Sequence, residues 1–325
     1  MKTALVSAIG SFSADAVIKS LKEHGLFVLG CDIFPKEWVV NAYSVDMFFQ
    51  VPRGTDRELY INTIKEICTR EQVDYLIPLT DAEIDTLNDN REWFQNSGVQ
   101  LCISSKQTIN ICRNKVRTYE ALEAIKDSIF SQTIPTISAV DYTEEFFSGF
   151  SLVCKPYNGR SSQGMRKLQS RKEVKAYLDE IDQENYILQP QIVGSIVTVD
   201  VVRNPEAGKI ICVPRKELLR TLSGAGTSVY IFHDDVLVED CRRIADRLGI
   251  RGCVNFEFIQ SADGSYHFLE CNPRFSGGIE FSCLTGYDFI WAHLNCFSGK
   301  EIDDLKSYRN CYIARKYEEK ITAME

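Results

Sequence analysis

Two glutamates and two asparagines near the C-terminal third set the chemistry this chain could do. Asn255-Phe256-Glu257-Phe258 and Phe268-Leu269-Glu270-Cys271-Asn272-Pro273-Arg274 flank a turn carrying Asp263-Gly264, a strong hairpin signal. With Asp263 and Gly264 as a two-residue loop, Ala262 pairs with Ser265, Glu257 falls opposite Glu270, and Asn255 falls opposite Asn272. Directly opposed residues have Cβ atoms about 4.5–5.5 Å apart, and like charges there repel. Alternation along the strands puts all four side chains on one face, with Arg274 following on the same side. A carboxylate pair so placed needs a proton or a cation. Oxygen donors without clustered His or Cys suit a hard ion such as Mg²⁺, which takes one or two carboxylates plus substrate phosphates. Pro273 ends the second strand, so Glu270, Asn272 and Arg274 sit at a strand end, where α/β sheets place their chemistry. The plainer alternative is a hairpin whose charges face water.

Other stretches supply groups for an anion. A strand over 150–154 runs into Lys155-Pro156-Tyr157-Asn158-Gly159-Arg160-Ser161-Ser162-Gln163-Gly164. Glycines there free backbone N–H groups to turn toward phosphate, serines add hydroxyl donors and Lys155 adds a point charge. The lysine precedes the glycines, the reverse of a Walker loop. Arg215-Lys216-Glu217-Leu218-Leu219-Arg220 lies beside Ser223-Gly224-Ala225-Gly226-Thr227-Ser228, a basic cluster next to a Gly/Ser loop that suits a triphosphate or a substrate carboxylate. Asn114-Lys115-Val116 opens a helix running to about Lys126, and Gln189-Pro190-Gln191-Ile192 is a strand entering a bend. No Ser-His-Asp or Cys-His arrangement is evident.

Glu270-Cys271-Asn272-Pro273-Arg274 resembles the E-x-N-P-R signature of the ATP-grasp superfamily, in particular its carbamoyl-phosphate-synthase-like branch. The spacing K-P-x-x-G-x-x-S-x-G from Lys155 to Gly164 resembles that family's lid loop. The resemblance spans most of the chain, in order, and implies roles residue by residue. Glu257, Glu270 and Asn272 would hold two Mg²⁺ ions against ATP, with Mn²⁺ able to serve, and Arg274 would contact the transferring phosphoryl group as the catalytic residue. Lys115 and Lys155 would reach ATP phosphate. Gly159, Ser161, Ser162 and Gly164 would fold over the β- and γ-phosphates. Gln189, Gln191 and Ile192 would form the hinge that meets adenine, largely through backbone groups. Lys216 belongs to a segment that binds phosphate or substrate in related enzymes. One departure stands out: the family usually has Glu four residues before Asp200, and this chain has Ile196.

The activity so implied is an ATP- and Mg²⁺-dependent ligase acting on small-molecule carboxylate and amine substrates. It would proceed through an acyl phosphate and release ADP and phosphate. Phosphoryl transfer of this kind depends on positioning and charge neutralisation. Ile196 supports an alternative, a non-catalytic ATP-binding sensor or assembly protein. A carboxylase acting on bicarbonate is a second rival, disfavoured because the sequence shows no biotin-carrier segment.

Elements that would position these groups follow from the hydrophobic pattern. Apolar runs over 3–9, 26–31, 48–51, 75–78 and 101–104 alternate with helical spacing over 14–24, 56–71 and 81–95, which argues a parallel sheet. Only one glycine lies between the first run and the first helix, so no dinucleotide fingerprint is present, and Asp32 reads as a turn cap. The expected fold class is α/β and α+β: a preATP-grasp parallel α/β domain over 1–112, then a two-lobed ATP-grasp fold, with the lid subdomain over 113–190 and the C-terminal subdomain carrying the metal site over 191–325. A helix over 235–248 should stop at Gly249.

Composition bounds the rest. At 325 residues the chain is long enough for two or three packed units. A net charge of −8 without a basic stripe disfavours nucleic acid as a partner. No apolar run approaches the ~18 residues of a membrane span. Twelve cysteines include no C-x-x-C pair and read as buried small hydrophobes in a reducing cytoplasm, and four scattered histidines give no zinc spacing. The aromatic-rich segment 287–297 reads as core, and it is the one hint of a face for a homodimer.

Overall fold

The computed structural model describes residues 1–143, 145, 151–159, 163–222 and 224–324, so Ser161 and Ser162 lie outside the described residues. The first unit is the parallel sheet the pattern predicts. Strands β1 (Thr3–Val6), β2 (Phe27–Asp32), β3 (Met47–Gln50), β4 (Tyr75–Ile77) and β5 (Gln100–Leu101) lie in the order β3-β2-β1-β4-β5. Central Leu5 pairs with Leu29 on one side and Leu76 on the other. Ala4, Leu5 and Val6 are all fully buried, as a strand covered on both faces requires. Helices α1 (Ala14–Glu23), α2 (Arg57–Arg70), α3 (Asp81–Asp89) and α4 (Arg91–Asn96) complete the unit. Asp32 caps a turn: its carboxylate accepts from Gly10 N at 2.7 Å and from Phe34 N at 3.1 Å. A Thr80–Glu83 capping box fixes the start of α3.

Helices α5 (Lys106–Cys112) and α6 (Lys115–Glu123) and strand β6 (Gln132–Thr133) follow. The second sheet comprises β7 (Ile137–Ser138), β8 (Leu152–Pro156), β9 (Arg166–Leu168) and β10 (Tyr186–Pro190), in the order β7-β10-β8-β9, with α7 (Arg171–Glu180) over one face. The third sheet is built from β11 (Ser195–Asn204), β12 (Lys209–Arg220), β13 (Gly226–Ile231), β14 (Gly252–Gln260), β15 (Tyr266–Asn272) and β16 (Cys311–Ala314). Its order is β16-β13-β12-β11-β14-β15-β6. Thus β6 pairs with β15, and Leu122 and Ile129 pack in the same core as Val199, Ile244 and Phe256. The segment that precedes the second sheet packs with the third, because its apolar residues bury there.

Helix α8 (Asp235–Leu248) is capped by Asp234, which accepts from Leu237 N at 3.0 Å, and it ends at Gly249 with φ +66°, a left-handed conformation that glycine adopts without strain. After α9 (Ile279–Cys283), helix α10 (Phe289–Ser298) buries Phe289, Ile290, Ala292 and Leu294 in a core shared by the first and third sheets. The apolar residues of α10 are therefore used within the chain. Among the described residues no helix is long and apolar enough to cross a membrane. All twelve cysteines are free thiols and ten are buried.

The central hairpin reaches the expected pairing by another route. Its turn has three loop residues, not two: Gly264 N donates to Ser261 O and Ser261 N donates to Ser265 O, each at 3.0 Å, with Gly264 at φ +90°. That moves the register by one residue. A bulge between Glu257 and Phe258 moves it back, so Glu257 still faces Glu270 and Asn255 faces Asn272.

Candidate functional site

A cleft of about 700 Å³ opens where the three sheets meet. Its walls include Gly10 to Ser13 and Thr80–Asp81 of the first unit, Lys155 and Gln189 of the second sheet, and Glu257 and Glu270 of the third. Glu257 and Glu270 are direct cross-strand partners inside it. Each carboxylate has its own cation: Lys115 Nζ lies 3.2 Å from Glu270 Oε2, and Arg220 Nη2 lies 3.3 Å from Glu257 Oε2. Asn114 caps α6 through Val116 N and Arg117 N, which places Lys115 at the helix start, where its Nζ also donates to Gly159 O at 3.0 Å.

The electrostatics follow from this crowding. Burial pushes the Glu257 carboxyl up to about 7, and the charge on Glu270 adds to the shift. Burial acts on Glu270 the same way, but Lys115 and Lys155 outweigh it and hold that group below the usual carboxylate range. Lys155 is pushed down to about 8, chiefly by burial, with Glu270 opposing the shift. So the site places one firmly ionised carboxylate beside one that holds a proton near neutrality. That is the state expected of two opposed carboxylates awaiting a cation.

Asn272 supplies the third oxygen. Its Nδ2 donates to Glu270 Oε1 and to Asn255 Oδ1, each at 3.2 Å, which turns Oδ1 the other way, toward Arg274 Nη2 at 3.4 Å. Two carboxylates and one amide oxygen, beside a strand end open to a cleft, fit Mg²⁺ with its remaining positions left to water and phosphate. Among the described residues no group of three or more His, Cys, Asp or Glu is gathered as a metal cluster, and the donors present here are hard oxygens.

Arg274 lies on the cleft wall, with Nη2 held by Asp81 Oδ2 at 3.1 Å and Nη1 donating to Phe275 O at 3.1 Å. Asp81 is buried and also lies 3.8 Å from Arg113, which makes a bidentate pair with Asp85 at 2.9 and 3.1 Å. Arg113 further donates to Asn158 O at 3.2 Å, tying α3 of the first unit to the loop after β8.

Most residues singled out from the sequence converge on this cleft. Lys115, Lys155, Gly159, Gln189, Gln191 and Ile192 line it, together with the acidic hairpin and Arg274. The Gln189 side chain is committed to the wall, donating to Thr136 Oγ1 at 2.7 Å. Ile196 also lines the cleft and pairs with Ile259, so the wall is apolar where the resemblance places an acid. Two residues are not brought in. Gly164, with φ +69°, packs toward Pro156 and Tyr186 instead of the cleft wall. Lys216 is displaced by strand alternation: Arg215 and Glu217, on either side of it, face the cleft, and Lys216 points to the other face of β12.

Arg215 is the main group the sequence reading left unassigned. It is fully buried yet lines the cleft. Its guanidinium contacts Asp200, donates from Nε to Glu217 Oε1 at 3.1 Å, and reaches Ser276 and Ser282 at 3.0 and 3.2 Å. Burial works against its charge, but Asp200 and Glu217 outweigh it and raise its pKa. Gly278 permits this packing, since a Cβ there would sit 3.0 Å from Arg215 Nη2. The available signal was Asp200 and Arg215 standing at inward positions of otherwise apolar strands.

Comparison with known proteins agrees with this fold. Residues 182–319 match a family model described as ATP-grasp in the biosynthetic pathway with Ter operon, and residues 15–102 match the PylC-like N-terminal domain. A carbamoyl-phosphate synthase of Methanobrevibacter smithii is 21% identical over 320 residues, covering 94% of this chain and 84% of that protein. Among solved structures, a biotin carboxylase–β,γ-ATP complex from Campylobacter jejuni superposes with a TM-score of 0.78 at 17% identity, over 94% of this chain and 73% of that one. An L-amino acid ligase from Bacillus licheniformis gives 0.70 at 16% identity, over 91% and 74%.

Proposed function

We propose that the chain, whose residues 182–319 match an ATP-grasp family model, is an ATP- and Mg²⁺-dependent ligase of the ATP-grasp superfamily that joins a small-molecule carboxylate to an amine or similar nucleophile. The observation that carries the reading is the opposed Glu257–Glu270 pair with Asn272 beside it, facing Lys115 and Lys155 across one cleft.

Lys115, Lys155 and Gly159 would meet the phosphates, and Gln189, Gln191 and Ile192 line the part of the wall proposed for the base. Mg²⁺, bound by Glu257, Glu270 and Asn272, would neutralise phosphate charge. The acid's carboxylate oxygen attacks the γ-phosphorus and ADP departs, giving an acyl phosphate; the amine then attacks the acyl carbon, loses a proton and expels phosphate. Lys115 and Lys155 balance charge as it shifts between phosphoryl oxygens, and Arg274, braced by Asp81, holds the phosphoryl group in line. The free, buried thiols fit a reducing compartment such as the cytoplasm. The apolar Ile196–Ile259 pair favours a second reading, nucleotide binding without turnover.

The test is ADP formation from Mg-ATP in the presence of pooled carboxylates and amines, with Glu270→Ala as control. Acid- and amine-dependent ADP, absent from the control, supports the ligase. Heat stabilisation by Mg-ATP without ADP formation in any pool supports the second reading.

A further inference from the structure

An amide ligand to a metal has a problem that a carboxylate lacks: rotated by half a turn about its last bond, it presents NH₂ where oxygen is needed. In this chain Glu270 and Arg274 favour one orientation, and the neighbouring strand adds a group that would itself touch neither metal nor phosphate. Asn255 is the direct cross-strand partner of Asn272, lines the cleft and is 2% exposed. Its Oδ1 accepts from Asn272 Nδ2 at 3.2 Å. That contact requires Asn272 to show its amide nitrogen to β14 and its oxygen to the cleft.

The orientation of Asn255 itself is set one strand further in. Asn255 pairs with Asp200 of β11, so both side chains share a face. Asn255 Nδ2 and Asp200 Oδ1 are both buried and make no hydrogen bond among the described atoms. They are a buried donor and a buried acceptor left over on directly paired residues of adjacent strands. The other Asp200 oxygen is held by Arg215 and by Ser282 Oγ, the latter at 2.6 Å. Asp200 can only accept when ionised, so it selects the rotamer in which Asn255 presents nitrogen to β11 and oxygen to β15. Flipping Asn255 would set its carbonyl oxygen against the Asp200 carboxylate and its NH₂ group against that of Asn272.

We propose that Asn255 is a positioning residue that fixes the amide of Asn272 with its oxygen toward the metal, itself oriented by the buried Asp200–Arg215 pair. The proposal rests on reading Glu257, Glu270 and Asn272 as metal ligands, and it assigns Asn255 no contact with metal or nucleotide. Residues that orient metal ligands typically change metal affinity about 10–100-fold when replaced.

The experiment is titration of the full chain with Mn²⁺ in the presence of ADP, with metal-free ADP affinity and thermal melting as controls. Asn255→Leu, close in volume but without an acceptor, is expected to weaken Mn²⁺ by at least about tenfold while metal-free ADP binding stays unchanged. Asn255→Ala serves the same purpose if the leucine variant does not fold. The deciding comparison is made in an Asn272→Asp background, where both side-chain oxygens can bind metal and orientation no longer matters. There the Asn255 substitution should change Mn²⁺ affinity by less than about threefold. An equal loss in both backgrounds, or no loss in either, overturns the proposal. Glu270→Gln tests the underlying reading separately: if it leaves Mn²⁺ affinity intact, the ligand assignment fails, and the role of Asn255 with it.

Discussion

Glu257 makes metal binding pH-dependent in a direction that can be worked out beforehand. Its carboxyl moves from an ordinary 4.5 to about 7 in the folded chain, because it is buried and faces Glu270. A shift of that size corresponds to about 3 kcal/mol between protonated and ionised forms. The sign follows from linkage. A raised carboxyl contributes stability that is fully present below its unfolded value and lost as pH rises through the folded one. The metal-free protein therefore loses stability between about pH 4.5 and 7. Replacing Glu257 with Gln should remove that loss, stabilising the metal-free protein by up to about 3 kcal/mol at pH 8 and by almost nothing below pH 4.5. Metal must displace the same proton. At pH 6 about nine-tenths of molecules carry it and at pH 8 about a tenth, so apparent Mn²⁺ affinity should rise about tenfold across that interval, with about one proton released per ion at pH 6. Calorimetry in buffers of different ionisation enthalpy counts the protons. Flat affinity between pH 6 and 8, or the same slope in Glu257→Gln, would refute the reasoning.

Three further outcomes follow. Lys155 is pushed down to about 8, mainly by burial, so it loses its charge as pH rises through that value. ADP affinity should fall about tenfold from pH 7 to 9 in wild type and much less in Lys155→Gln, read by calorimetry. Arg215→Met leaves Asp200 and Glu217 buried without their cation, and urea denaturation should show a loss of about 3–5 kcal/mol. His293 is held near 3 by burial while its Nδ1 accepts from Cys253 N at 2.8 Å. The unfolded chain protonates it first, so stability should drop by about 2 kcal/mol from pH 7.5 to 5 through this group, and His293→Gln should flatten that part of the profile.

What the sequence reveals about this site depends on the distance over which each constraint acts. The pairing of Glu257 with Glu270 is local and was read correctly, although a longer turn and a bulge compensate to produce it. The Lys115, Lys155 and Arg274 positions follow from motif order, and the structure gathers them in one cleft. Lys216 was chosen over Arg215 because charge clusters in sequence do not reveal which alternate residues of a strand face inward. Asp81 was missed because its contact with Arg274 spans 193 positions and depends on how the first unit docks. The packing of the segment after 113 is hidden from the sequence for a related reason. Leu122 and Ile129 are apolar at helical and strand spacing, which shows that they are buried but not that they pack against the third sheet.

The most direct measurement of the central claim is nucleotide product analysis. Purified protein and Glu270→Ala are incubated with Mg-ATP and pooled carboxylates and amines, and nucleotides and adducts are resolved by mass spectrometry. The account predicts ADP, phosphate and a new carboxylate–amine adduct from the wild type, and none of them from Glu270→Ala. AMP and pyrophosphate as products would contradict the acyl-phosphate route.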